Sequence, residues 1–231
     1  MESRLLRINS RFKQPNESNT DFSFIYEAVN ISSLQLLKFS CPRLFPNIYS
    51  PFDTLIINSI TYTIPAKQYT AVELAAFITS TGHPCALTAN NTFQFTSPGF
   101  LFPTKLSNRI MGFPDIPITL PATATSVPTM DGPDPIYVES ADVGSNAYDS
   151  VDSNGGYIPL VWSIGCSSVP YGFHIDYEAN DEKISRIDIR NGTLSNKLLN
   201  IRLTDAYGHT IVLPNTANVD LIFKVFFVPN M

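Results

Sequence analysis

The chain has 231 residues, 44% hydrophobic and 12% aromatic, enough to bury a sizeable core. Charged residues reach only 15%, and a net charge of −5 argues against nucleic acid as a partner. No run approaches the roughly 18 apolar residues of a membrane span, and from the polar start Met1-Glu2-Ser3-Arg4 no secretory leader is expected.

Leu5-Leu6-Arg7-Ile8 is a short apolar strand, and Arg11 to Asn19 is a polar loop around Pro15. Phe22, Phe24 and Tyr26 alternate with smaller residues, so they share one face of a second strand. Ser33 to Phe39 reads as a third, broken at Cys41-Pro42. Asp53 to Ile57 and Thr61 to Ile64 are β-branched and aliphatic, and they join through Asn58-Ser59-Ile60. Pro65 stops the second of these.

The one strong helical signal follows. Thr70 faces Glu73 three residues on, the pattern of a capping box. Leu74, Phe77 and Ile78 then form a single apolar stripe, and Gly82 and Pro84 close the helix. Thr92 to Thr96 is a strand entered through the Asn90-Asn91 turn, and Leu106 to Met111 is a short helix stopped by Gly112.

Eight prolines between Pro98 and Pro135 predict a long irregular loop over 97–135, and a Ser/Asp/Asn/Gly-rich stretch predicts a second over 142–157. Strands return at Ile136–Val138, Leu160–Ile164, Phe173–Tyr177 and Ile187–Arg190. Leu199–Thr204 and His209–Leu213 form a hairpin about Asp205-Ala206-Tyr207-Gly208, and Leu221–Val228 is the last strand. About ten short strands with long excursions predict an all-β fold, a single jelly-roll β-sandwich with one or two short helices. Residues 1–20 are expected as an arm with a first short strand, and 21–231 as one domain.

Charge is unevenly spread. No Lys or Arg lies between Ile110 and Glu182, which hold eleven acids, whereas Arg4, Arg7, Arg11 and Lys13 make the N-terminus basic. Opposite charge on two regions of one chain can set orientation in an assembly, which makes these four residues the candidate interface; the plainer reading is a solvated acidic loop region and an ordinary basic terminus. Cys41, Cys85 and Cys166 have no metal-ligand spacing and are expected as reduced, intracellular thiols. On that reading the four glycosylation sequons at Asn16, Asn30, Asn90 and Asn191 are incidental.

Catalytic chemistry finds little footing. A triad needs a nucleophile, a base and an orienting acid, and no G-x-S-x-G elbow accompanies His83, His174 or His209. Phosphate loops, dinucleotide fingerprints and H-E-x-x-H are missing, so no catalytic or cofactor residue is assigned and the chain is not expected to be an enzyme. Asp149, Asp152 and Asn154 before Gly155-Gly156 offer clustered oxygens and are the one calcium candidate, although turns use the same residues.

Several stretches, in order, resemble the vertex (penton) protein of virophages and Polinton-like viruses, in the jelly-roll lineage of double-stranded DNA viruses. They are Leu5 to Arg11, Asn19 to Phe24, Phe45-Pro46-Asn47-Ile48-Tyr49, Tyr62 to Leu74, Leu106 to Phe113, and Ile201 to Asp205 with Gly208. Lys67 departs from the pattern, standing where such proteins often carry a Gly-containing turn.

The resemblance implies a homopentamer at the fivefold vertices of an icosahedral capsid, beside a double-jelly-roll major capsid protein. It implies a virion protein, assembled in the host cytoplasm or a virus factory, with outer loops where a host receptor would bind. Another minor capsid protein of the same lineage fits the same residues. The reading from a different class is a carbohydrate- or receptor-binding jelly roll acting through Trp162, Tyr148 or Tyr157. A hydrolase using two of the carboxylates stands third.

Overall fold

A computed structural model describes residues 3–25, 31–140, 149–151, 157–179, 186–188 and 198–227. Contacts divide the chain into two compact units, Met1–Leu44 with Pro133–Met231, and Phe45–Gly132.

The first unit opens with β1 (Ser3–Asn9), β2 (Asp21–Ile25) and β3 (Ile31–Pro42). The second holds β4 (Thr54–Ile57), β5 (Ile60–Thr63), α1 (Ala71–Ser80), β6 (Cys85–Leu87), β7 (Phe93–Phe102) and β8 (Ile118–Thr123). The chain then completes the first unit with β9 (Ile136–Glu139), β10 (Asp149–Val151), β11 (Tyr157–Ile164) and β12 (His174–Glu178). β13 (Arg186–Asp188), β14 (Leu198–Thr204) and β15 (Asp220–Phe227) end it.

The first unit is a two-sheet antiparallel sandwich. One sheet runs β1-β15-β3-β12, with β13 also on β3, and the other runs β10-β11-β9-β14-β2. Alternation decides the inner faces: Leu221, Phe223 and Val225 are buried while their neighbours are half-exposed. Trp162 of β11 packs on Phe223 of β15 at 5.2 Å between ring centroids, so side chains of the two sheets meet in one core. The expected jelly-roll sandwich is therefore found.

Details differ from the sequence reading. β3 continues through Cys41 to Pro42, because a proline at the last position of a strand removes no interior hydrogen bond. The predicted second arm at His209–Leu213 is reduced to one bridge, Thr204 to Thr210. The Asp205 carboxylate takes the backbone N–H groups of Tyr207 and His209 at 2.8 and 2.9 Å, which winds the turn tightly. Leu203 N–H is meanwhile bonded to Thr20 O, at the entry to β2.

The second unit is the sheet β5-β4-β7-β6, with β8 also on β7, and α1 against β6. The β4–β5 turn has two residues, not three: Asn58 (φ 51°) and Ser59 (φ 64°) take left-handed backbone, and Ile60 already pairs with Ile57. The capping box forms as expected, with Thr70 N–H to Glu73 Oε2 at 2.7 Å and Glu73 N–H to Thr70 Oγ1 at 3.2 Å. Leu74, Ala75 and Ile78 are buried, and Phe77 is half-buried against Tyr69. Thr79 sutures the helix to β6 by bonds to the backbone of Cys85.

Residues 97–135 are not the irregular loop that their prolines predict. β7 passes through Pro98 at a register shift between Phe95 and Gly99, and β8 carries Pro121 while pairing only with β7 among the described residues. A bulge and a sheet edge are the two places where a missing N–H is harmless. Between them the predicted helix is one π-helical turn, Leu106–Ile110, ended by Gly112 at φ 83°. A Cβ on Gly112 would lie 2.4 Å from Ser126 O.

Asn47 ties this unit together. Fully buried, it donates to Tyr69 O and Met130 O at 2.8 Å each and accepts Tyr69 N–H at 2.9 Å. At Lys67, where the family pattern is broken, Ile48 N–H bonds Lys67 O and the ammonium sits 4.4 Å above the Tyr69 ring.

Candidate assembly surface

Two of the three histidines have polar partners. His83 Nε2 lies 2.8 Å from Tyr62 Oη, and His209 Nδ1 lies 3.1 Å from Asp205 Oδ2. His174 is exposed on β12. All three cysteines are buried, and burial pushes each thiol up to about 12, so none is a nucleophile near neutrality. Among the described residues, no three His, Cys, Asp or Glu side chains gather as a metal site. Of the calcium candidates, Asp149 begins β10 with its side chain outside the description, and Asp152 and Asn154 lie outside the described residues.

The sugar-platform residues fare differently from one another. Trp162 is core, 6% exposed. Tyr148 lies outside the described residues, as does the side chain of Tyr157.

The basic N-terminal residues fall on β1 and the turn after it. β1 is an edge strand of the first sheet, paired only to β15 among the described residues. Ile8 faces the core, while Leu5 and Arg7 face solvent, with Leu5 70% exposed. Arg7 is fixed by Asp220 of β15, Nε to Oδ1 at 3.0 Å and Nη2 to Oδ2 at 2.5 Å, and this pairing raises the affinity of an already charged guanidinium for its proton. Arg4 sits over the Phe227 ring at 5.6 Å. Arg11 is exposed beside Phe12, itself 75% exposed, and Lys13 is half-exposed.

The opposite edge of the same sheet is shared by β12 and, further along β3, β13; on β12 Ile175 points inward and His174, Asp176 and Glu178 point out. Asp176 accepts from Ser40 Oγ at 2.6 Å, and Glu178 meets Lys38 at 3.0 Å. Register places these groups in rows across the sheet. Arg7 is opposite Ile222, Ile222 opposite Lys38, and Lys38 opposite Glu178. One row along lie Asn9, Asp220, Ser40 and Asp176. A single row thus begins at a cation on one edge and finishes at a carboxylate on the other. Sequence reasoning finds the basic edge, and it counts Asp176 and Glu178 only as members of the wider acidic region 110–182, although the alternation Ile175-Asp176-Tyr177-Glu178 marks them as one face of a strand.

One acid is buried. Glu139 of β9, 5% exposed and directly opposite Arg202, accepts from Thr204 Oγ1 at 2.5 Å. Burial raises its carboxyl above the ordinary range, outweighing the Thr204 bond and Arg202, and the neighbouring Asp205 adds to the rise.

No protein-family model and no curated protein sequence matches the chain. Folds do match. The crystal structure of the mavirus penton protein superposes with a TM-score of 0.54 at 11% identity, covering 98% of this chain and 100% of that one. At that identity the correspondence is one of fold, end to end, and it is the fold expected from the resemblance to virophage pentons.

Proposed function

We propose that the chain is a structural virion protein, a penton that forms homopentamers at the fivefold vertices of an icosahedral capsid and meets a double-jelly-roll major capsid protein there. The observation that supports this best is the end-to-end fold match to the mavirus penton protein, which leaves almost none of either chain unmatched. Order-preserving short motifs along the sequence point the same way. A sandwich with charged, solvent-facing sheet edges suits a closed ring, in which a heterologous contact joins two different patches of identical subunits. On this reading the protein is no enzyme, and its place is the capsid vertex.

Mass in solution is the direct test. Light scattering on the purified chain should give five times the 25.6 kDa protomer, and imaging of assembled particles should place density at the fivefold axes. A monomer at every concentration, or hydrolytic turnover that disappears with a single Asp, would remove the reading.

A further inference from the structure

We propose that β1 of one copy adds to β12 of a second copy, continuing the sheet β1-β15-β3-β12 across the subunit boundary with Arg7 of one facing Glu178 of the next. The partner is therefore this same chain. The proposal rests on the penton reading for the number of copies only.

Three observations carry it. Both edges are open to solvent among the described residues: the Arg7 side chain is 69% exposed and that of Glu178 70%. Strand direction fits, because successive neighbours in the order β1-β15-β3-β12 are antiparallel, so β1 and β12 run in opposite senses. A second sheet set alongside therefore meets the first antiparallel, the favoured arrangement for edge addition.

Charge and register fit as well. Arg7 and Glu178 terminate one row, so unstaggered addition brings them face to face, Asn9 comes opposite Asp176 in the next row on that face, and the earlier residues Ser3 to Leu5 come opposite β13 on the same edge. Arg7 already holds Asp220 and Glu178 already holds Lys38, but a guanidinium has five donors and a carboxylate four acceptor positions, leaving capacity for a second partner. Like edges are rejected: β1 against β1 sets arginines together, and β12 against β12 sets carboxylates together. Exposed edges are a hazard that proteins manage with charge, and at the rows of Arg7 and Glu178 the signs favour the unlike pair.

Cysteine cross-linking tests the contact. Within one copy, positions 7 and 178 lie three strand spacings apart, about 14 Å, too far for an internal disulfide, which needs Cα atoms within about 7 Å. The native thiols are buried and give little background. The double variant Arg7→Cys, Glu178→Cys should form a reducible covalent ladder on mild oxidation, and each single variant should not. Charge exchange is the second arm. Arg7→Glu or Glu178→Arg alone should weaken association at low salt by about tenfold, and the two together should restore it.

A ladder in the double variant only, with rescue by the exchanged pair, supports the proposal. Oligomers of unchanged mass that neither cross-link nor respond to either charge reversal overturn it while leaving the penton reading intact. Equal cross-linking by a single variant overturns it in favour of like-edge contact. A wild-type chain that remains monomeric defeats both readings.

Discussion

Glu139 shows how one buried group couples this fold to pH. Its carboxyl is raised in the folded chain, chiefly by burial. A raised acid contributes stability that is fully present below its unfolded value and lost as pH rises through the folded one. Over the interval that opens at the ordinary glutamate value of about pH 4.3 and runs upward, the wild-type chain should therefore lose stability relative to Glu139→Gln, whose amide still reaches Thr204 without a charge. Melting temperatures of the two proteins across that interval check it, and parallel curves would mean that Glu139 ionises at an ordinary value. Asn19 is a second buried polar residue, without a charge to titrate, whose amide donates to Pro214 O, Asn215 O and Ala217 O and so gathers the loop before β15. Both residues look like ordinary turn or strand polar groups in the sequence, since what distinguishes them is a partner far along the chain.

At the scale of elements, backbone conformation sorts what is replaceable from what is not. Gly112 ends the π-helical turn at φ 83°, with no room for a methyl group beside Ser126 O. Gly112→Ala should cost about 2 kcal/mol or more, from positive φ and the clash together, read as a shift in the urea midpoint. Gly82 also takes positive φ, at 92°, but a Cβ there meets nothing within 4 Å, so the same change should cost less.

Elements with local causes are legible in the amino-acid sequence. α1 announces itself by Thr70, Glu73 and Gly82, and the strands by residues that alternate across a half-buried sheet. Where tertiary context decides, local pattern misleads. Pro98 and Pro121 signal loop, and only pairing shows that one occupies a bulge and the other an edge. His209–Leu213 has the composition of a strand, but Leu203 N–H is bonded to Thr20 and the Asp205 turn leaves the segment one bridge. Of the candidate surface, the basic edge is visible as four cations close in sequence. The acidic edge is hidden in a longer acidic region, and a row spanning residues 7, 222, 38 and 178 exists only once the register is known.

For the whole molecule, the low proportion of charged residues gives the few exposed ones weight. Contacts between solvent-facing charges are screened over about 10 Å at 0.1 M salt. On the edge contact proposed above, association should accordingly weaken as salt rises from about 0.05 to about 0.5 M, followed by sedimentation. Indifference to salt would assign the contact to apolar groups such as Leu5 and Phe12 instead.

The second unit has a practical corollary. Gly132, its final residue, lies with its Cβ position 3.6 Å from Asn47 Cα and 3.7 Å from Pro46 O, so the excursion from 45 to 132 begins and finishes at almost the same point in space. An insert with coincident ends behaves as a cassette: a short splice could stand in for it, and a foreign module of similar end spacing could be exchanged for it, without asking either severed end to travel.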